Sequence, residues 1–149
     1  MASKEEVVSI LNDLIQTCRD SHEAFERAAD NVHRVDLKTP LNELSHQQAI
    51  FAGELEDQVR SLGGEPAKRG HLGSLLERGL GEIGSRFKEK DDPAILAECQ
   101  KVADDSLRHY QHALNEDLPA DVRMIVQRHF QAVQAALSQL RTMEIARRA

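Results

Sequence analysis

The sequence predicts an all-α chain folded as a four-helix bundle. Three observations carry this. Apolar residues recur at spacings of three and four along four long segments. Those segments are punctuated by helix start and stop signals. Almost nothing in the 149 residues favours a β reading.

The first helix, about residues 4–34, opens on a capping-box pattern, Ser3 with Glu6 three residues on. Its stripe is Val7, Leu11, Leu14, Cys18, Phe25, Ala29 and Val32, and Val35-Asp36 makes the turn. The second, about 37–62, carries Pro40 in its first turn, where a missing N–H costs little. Leu41, Leu44, Gln48, Phe51, Leu55, Val59 and Leu62 form its seam, and Gly63-Gly64 stops it. The third, about 93–116, starts with Asp92 as cap and Pro93 at the first helical position. Leu96, Cys99, Ala103, Leu107, Tyr110 and Leu114 face inward. The fourth, about 119–146, begins near Leu118-Pro119 and carries Val122, Val126, His129, Val133, Ala136, Leu140 and Met143. Narrow seams with charged backs are the pattern of a bundle, here one domain over residues 1–149.

Residues 63–92 are far too long for a tight helix–helix loop. Leu72, Leu75, Leu76, Leu80, Ile83 and Phe87 predict a short amphipathic helix there, weakened by Gly73, Gly79, Gly81 and Gly84. About 16 helical residues span some 24 Å, enough to return the chain to the starting end. That is a ferritin-type crossover, which makes helices 2 and 3 parallel. A flexible up-down loop is the competing reading.

Composition narrows the function classes. A net charge of −6 with no basic stripe argues against nucleic acid. No segment has the roughly 18 consecutive apolar residues of a membrane span, and the acidic opening MASKEEVVSI is not a signal peptide. The expected location is the cytoplasm, with Cys18 and Cys99 as buried free thiols. Spare apolar surface on the crossover, from Leu75, Leu76, Leu80 and Phe87, suggests self-association, with a dimer favoured.

Several segments then carry a family resemblance over nearly the whole chain. They are Leu11-Asn12-Asp13-Leu14-Ile15, Cys18-Arg19-Asp20, Phe51-Ala52 with Glu54-Leu55, and Leu62-Gly63-Gly64-Glu65-Pro66. Ile95-Leu96 with Glu98-Cys99, and Leu118-Pro119-Ala120-Asp121-Val122-Arg123, complete the set. The chain resembles a bacterial group of ferritin-like four-helix-bundle proteins of unknown function. The resemblance implies a ferritin-like fold, a cytoplasmic location, and association into dimers or larger assemblies. It also marks departures. Where the family pattern has an acid, an acid and a His-Asp pair, this chain has His22, Ala103 and Leu137-Ser138.

A ferritin-like di-iron centre needs a Glu from each of two helices and a Glu-x-x-His from each of the other two. Glu43 and His46 form one such pair, and Glu23 and Glu98 are the candidate partners. At ~100° per residue, His46 lies nearly opposite the helix 2 seam and Glu43 on its flank. Glu23 and Glu98 are each about 140° from inward positions. No carboxylate falls at an inward position on any of the four helices. The expectation is an absent or degenerate di-metal site and no cofactor, with iron or zinc as the alternative. What does face inward is a polar set: His22, Gln48, Ser106 at a seam's edge, and His129. A hydrogen-bonded layer that fixes register is the favoured reading. A soft-metal site with Cys18 or Cys99 is the other. His109 and His112 are three apart and expected at the surface. Buried thiols are poor nucleophiles, and Gly79-x-Gly81-x-x-Gly84 follows no strand, so neither suggests catalysis. The expected function is a non-enzymatic, oligomeric, structural or stress-associated bundle. The alternative is a metal-binding or redox member using inward His and Cys or a Glu/His cluster.

Overall fold

The computed structural model describes residues 2–68, 87 and 90–148, the last four by backbone alone. Among the described residues four long helices are defined: α1 (Lys4–Asn31), α2 (Val35–Ser61), α3 (Asp92–Leu114) and α4 (Ala120–Arg148). Among the described residues there is no strand. The amphipathic helix expected within the crossover, with Leu72, Leu75, Leu76, Leu80 and Ile83, lies outside the described residues.

Side-chain pairings settle the topology. Asp92, at the start of α3, accepts the backbone N–H of His33 and Arg34 at 2.8 and 3.0 Å. The start of α3 therefore sits at the end where α1 turns into α2. Lower down, Cys18 of α1 meets Tyr110 of α3 at 3.0 Å. Helix α3 thus descends antiparallel to α1 and parallel to α2, as a crossover requires. Helix α4 returns upward, with His129 level with Tyr110 and Glu144 level with Gln100.

The same register separates the two cysteines. Cys99 lies eleven residues before Tyr110 on α3, an axial gap of about 16 Å from the Cys18 level. A disulfide needs Cα atoms within about 7 Å. Both thiols are free and buried. Mild oxidation is expected to leave them unjoined within a chain, as mass mapping of a non-reduced digest would show. A rapid intrachain Cys18–Cys99 bond would contradict the parallel arrangement of α2 and α3.

Helix ends depart from the sequence reading by small, explicable shifts. Asp91, and not Asp92, caps α3 by accepting the Ala94 N–H at 3.0 Å. Asp92 is the first helical residue, and its carboxylate turns back to the α1–α2 junction. Helix α1 stops at Asn31, and α2 already starts at Val35. Pro40 therefore sits in the second turn, and Arg34 supplies no side-chain cap. The backbone N–H groups of His33 and Arg34 are instead satisfied by Asp92.

The interior face of α3 is rotated slightly from its expected phase. Ser106 and Ala113 are buried at 2% and 3% exposure, whereas Leu107 and Leu114 flank the core. Small residues on the inward line leave the larger leucines to cover its edges.

The motif segments act at the junctions. Gly63 takes φ +80°, a left-handed conformation that glycine adopts without strain. A Cβ on Gly64 would lie 2.8 Å from a Val8 methyl, so a side chain there would force the chain or Val8 to shift. Asn12 then clasps the segment beyond, accepting the Ala67 N–H at 2.8 Å and donating to the Glu65 carbonyl at 3.2 Å. Arg19 donates to the Ala67 carbonyl at 2.8 Å and to Glu56 at 2.9 Å. At the α3–α4 turn, Arg123 donates to the Leu114 and Glu116 carbonyls at 2.8 and 2.5 Å. The backbone carbonyls at that helix end are met by a cation.

The core divides into two apolar clusters. The upper holds Phe25, Leu41, Phe87, Ile95, Leu96, Cys99 and Leu140. The lower holds Leu11, Leu14, Cys18, Leu55, Tyr110 and Val126. Buried Ser21, Ser45, Gln48 and Ser106 lie between them in sequence on α1, α2 and α3. This polar waist is where the candidate site begins.

Candidate functional site

Below the waist, four side chains from four helices join in one hydrogen-bonded line. Cys18 Sγ lies 3.0 Å from Tyr110 Oη. That oxygen lies 3.3 Å from His129 Nδ1, and His129 Nε2 lies 2.7 Å from Glu54 Oε1. Arg128 Nη2 closes the outer end at 3.3 Å from both Glu54 oxygens. Cys18, Tyr110 and His129 are fully buried, and the Glu54 side chain is about one-third exposed. The line therefore runs from the core to the surface.

Chemistry sets the direction of each bond. An ionised carboxylate only accepts, so His129 donates through Nε2–H and keeps a lone pair on Nδ1. The Tyr110 hydroxyl donates to that lone pair, and its oxygen accepts the Cys18 S–H. The ring is clamped as well as bonded. Phe51 stacks on it with centroids 3.9 Å apart and planes 14° from parallel. Tyr110 meets it edge-on at 6.0 Å.

Protonation follows from position. Burial pushes the His129 imidazole below its ordinary value, with partial opposition from the Glu54 hydrogen bond and charge. Desolvation would raise Glu54, but the His129 hydrogen bond and the Arg128 charge outweigh it and hold its carboxyl low. Burial pushes Tyr110 well above its ordinary range, assisted by Cys18 and by the Glu54 charge. Burial raises the Cys18 thiol to about 12. The resting line is thus thiol, phenol, neutral imidazole and carboxylate.

Glu54 corrects the expectation that no carboxylate reaches inward. It sits one turn from Phe51 and next to Leu55, on the flank of the α2 seam. From there its side chain bends to a histidine on α4. The signal in the sequence was Phe51-x-x-Glu54 on one face, opposite an inward His129. Asp92 is a second such carboxylate, only 4% exposed.

One turn above the His129 level, Gln48 and Ser106 are 1% and 2% exposed. Gln48 Oε1 and Ser106 Oγ meet no hydrogen-bonding group of the protein. Helices α2 and α3 run parallel, so both lie at the height of the waist. His22 is less inward than its phase suggests. Its side chain is 37% exposed at the α1–α2 seam, because Nδ1 is drawn to Ser45 Oγ and O at 2.8 and 3.0 Å. Its Nε2 faces Glu26 at 3.3 Å.

The four metal candidates stay apart. Glu23 pairs with Arg27 along α1 at 2.9 Å, and Glu98 pairs with Lys90 at 3.5 Å. Glu43 and His46 line a shallow groove on the outer face of α2, with Thr39, Gln47 and Ile50. His109 is exposed and bonded through Nδ1 to Thr17 at 2.9 Å, and His112 is exposed. Among the described residues, no three of His, Cys, Asp and Glu are placed to share a metal ion. The interior donors do not fit a ferritin-type di-iron centre either. A hard cation needs several carboxylates to replace its water. The positions that depart from the family pattern, Ala103 and Leu137, are packed in the upper core as apolar residues. A thiolate site is equally ill served, since Tyr110 stands between Cys18 and His129 and Cys99 lies in the other cluster.

Solved structures show where this fold has been seen. The ferritin-like architecture recurs in a two-domain protein from Anabaena variabilis that contains DJ-1/ThiJ/PfpI-like and ferritin-like domains. The match has TM-score 0.82 and 15% identity over 98% of this chain, which spans 41% of that one. It recurs in a mutant of Mycobacterium smegmatis Dps1, with TM-score 0.75 and 16% identity over 95% and 96% of the two chains. At such identities the likeness concerns the fold. No curated protein matches the sequence. The family described as "Domain of unknown function (DUF2383)" matches residues 6–116, the span that builds α1, α2, α3 and the crossover, and the chain belongs to it.

Proposed function

We propose that the chain is a non-enzymatic ferritin-like bundle, a self-associating structural or stress-associated protein of the cytoplasm without di-iron chemistry. The observation that supports this most is the nature of its interior donors. The central polar layer offers a thiol, a phenol, an imidazole, an amide and hydroxyls, with a single carboxylate at its rim. Self-association is supported by the spare apolar residues of the crossover sequence, Leu75, Leu76 and Leu80. No described helix is long and apolar enough to cross a membrane.

Two measurements on untagged protein test the reading. Metal analysis is expected to find well under one tightly bound iron per chain. Sedimentation at micromolar concentration is expected to show a species larger than a monomer. Stoichiometric iron or zinc would overturn the metal-independent reading and favour the metal-binding alternative. A clean monomer would remove the assembling role.

A further inference from the structure

Tyr110 is the one tyrosine of the chain, and there is no tryptophan. It is also fully buried and bonded on both sides. We propose that Tyr110 is a proton-coupled one-electron redox site. His129 is its fixed proton acceptor, Glu54 the counter-charge, and a diffusible oxidant of the radical class its electron acceptor. The inference does not rest on the assembling role proposed above.

The step follows from the bond directions. Removing an electron from a phenol makes its proton strongly acidic. In an apolar interior a phenol radical cation would carry an unpaired buried charge, which is costly. Oxidation therefore becomes feasible only where an acceptor already waits for the proton. His129 Nδ1 is such an acceptor, 3.3 Å away, because its other nitrogen is committed to Glu54. The oxidant takes one electron and becomes its reduced form. The Tyr110 O–H bond breaks, the proton bonds to Nδ1, and a neutral phenoxyl remains. The imidazolium so formed lies 2.7 Å from the Glu54 carboxylate, so the new charge is paired at once. The Cys18 S–H stays directed at the phenoxyl oxygen. A one-electron reductant returns the electron, and the proton travels back.

Composition also limits where the hole can go. The oxidant need not enter, since Tyr110 is joined through His129 to Glu54, whose side chain is 35% exposed, and an electron can tunnel over such a path. With no second phenol and no indole in the chain, the neighbour placed to share the hole is the Cys18 thiol, 3.0 Å from the phenoxyl oxygen.

The test uses the full chain with photogenerated tris(bipyridine)ruthenium(III) as oxidant. Transient absorption and freeze-quenched electron paramagnetic resonance follow the phenoxyl. The expected result is a radical signal absent from Tyr110→Phe. Its rate of formation should not change with the concentration of buffer base, because the proton acceptor is internal. In Glu54→Gln, a rim substitution that keeps the hydrogen-bonding shape, the rate should fall about tenfold or more. A wild-type rate that climbs with buffer base would overturn the proposal. So would Glu54→Gln oxidising at the wild-type rate, or no phenoxyl in the wild type. The buffer test needs no variant, so a poorly folding mutant leaves it decisive.

Discussion

Replacing His129 by alanine is expected to lower the stability of the fold by about 3–5 kcal/mol, the range for truncating a large buried ring. The ring is fully buried, stacked on Phe51 and met edge-on by Tyr110. Its removal leaves a cavity and takes away the acceptor for the Tyr110 hydroxyl, which is too deep to reach water. His129→Leu should cost less, because it refills most of the volume, but it still leaves the buried Tyr110 hydroxyl without its acceptor. The same residue sets a pH dependence. Burial, partly offset by Glu54, keeps the folded pKa of His129 below the ordinary 6.5. As pH falls below about 6.5 the unfolded chain binds a proton that the folded chain does not. Stability should therefore decline from there down to the folded pKa and level off beyond it. Urea unfolding across that range would measure the slope, which should diminish in His129→Leu. A loss under about 1 kcal/mol in His129→Ala would mean the layer is not tightly packed.

Asp92→Ala is the second large effect, expected at about 2–4 kcal/mol, since two backbone N–H donors would lose a charged acceptor. The 4%-exposed carboxylate ties the start of α3 to the α1–α2 junction through His33 and Arg34. Its neighbour offers an internal control. Asp91 is exposed and only caps α3, so Asp91→Ala should cost about 1 kcal/mol. Burial alone would raise the Asp92 carboxyl. The His33 and Arg34 N–H bonds and the His33 side chain outweigh it and hold the carboxyl below its ordinary 3.8. Its contribution is thus fully present above about pH 4 and is lost as pH falls through the folded pKa. Denaturant melts of the two variants at neutral pH make the comparison. Equal losses would show that the junction contact carries no more than an ordinary cap.

The four bundle helices, their ends to within a few residues, and the line of the seams are all legible in the chain without coordinates. So are the interior placement of Gln48, Ser106 and His129 and the outer placement of Glu43 and His46. All of that is local physics, because helical periodicity and caps belong to one helix at a time. Linker length allows both a crossover and an up-down loop, and only the contact of Asp92 with residues 33 and 34 distinguishes them. Packing between helices settled the rest. Helical phase puts Glu54 on the flank of α2 and Asp92 at a helix start, and neither angle says that a carboxylate turns inward. That depends on the axial offset and rotation of the neighbouring helix, which bring His129 to one and two free N–H groups to the other. His22 moved the opposite way, drawn to the rim by Ser45 on α2. The line from Cys18 to Glu54 joins side chains from four helices, and no spacing within one helix could encode it.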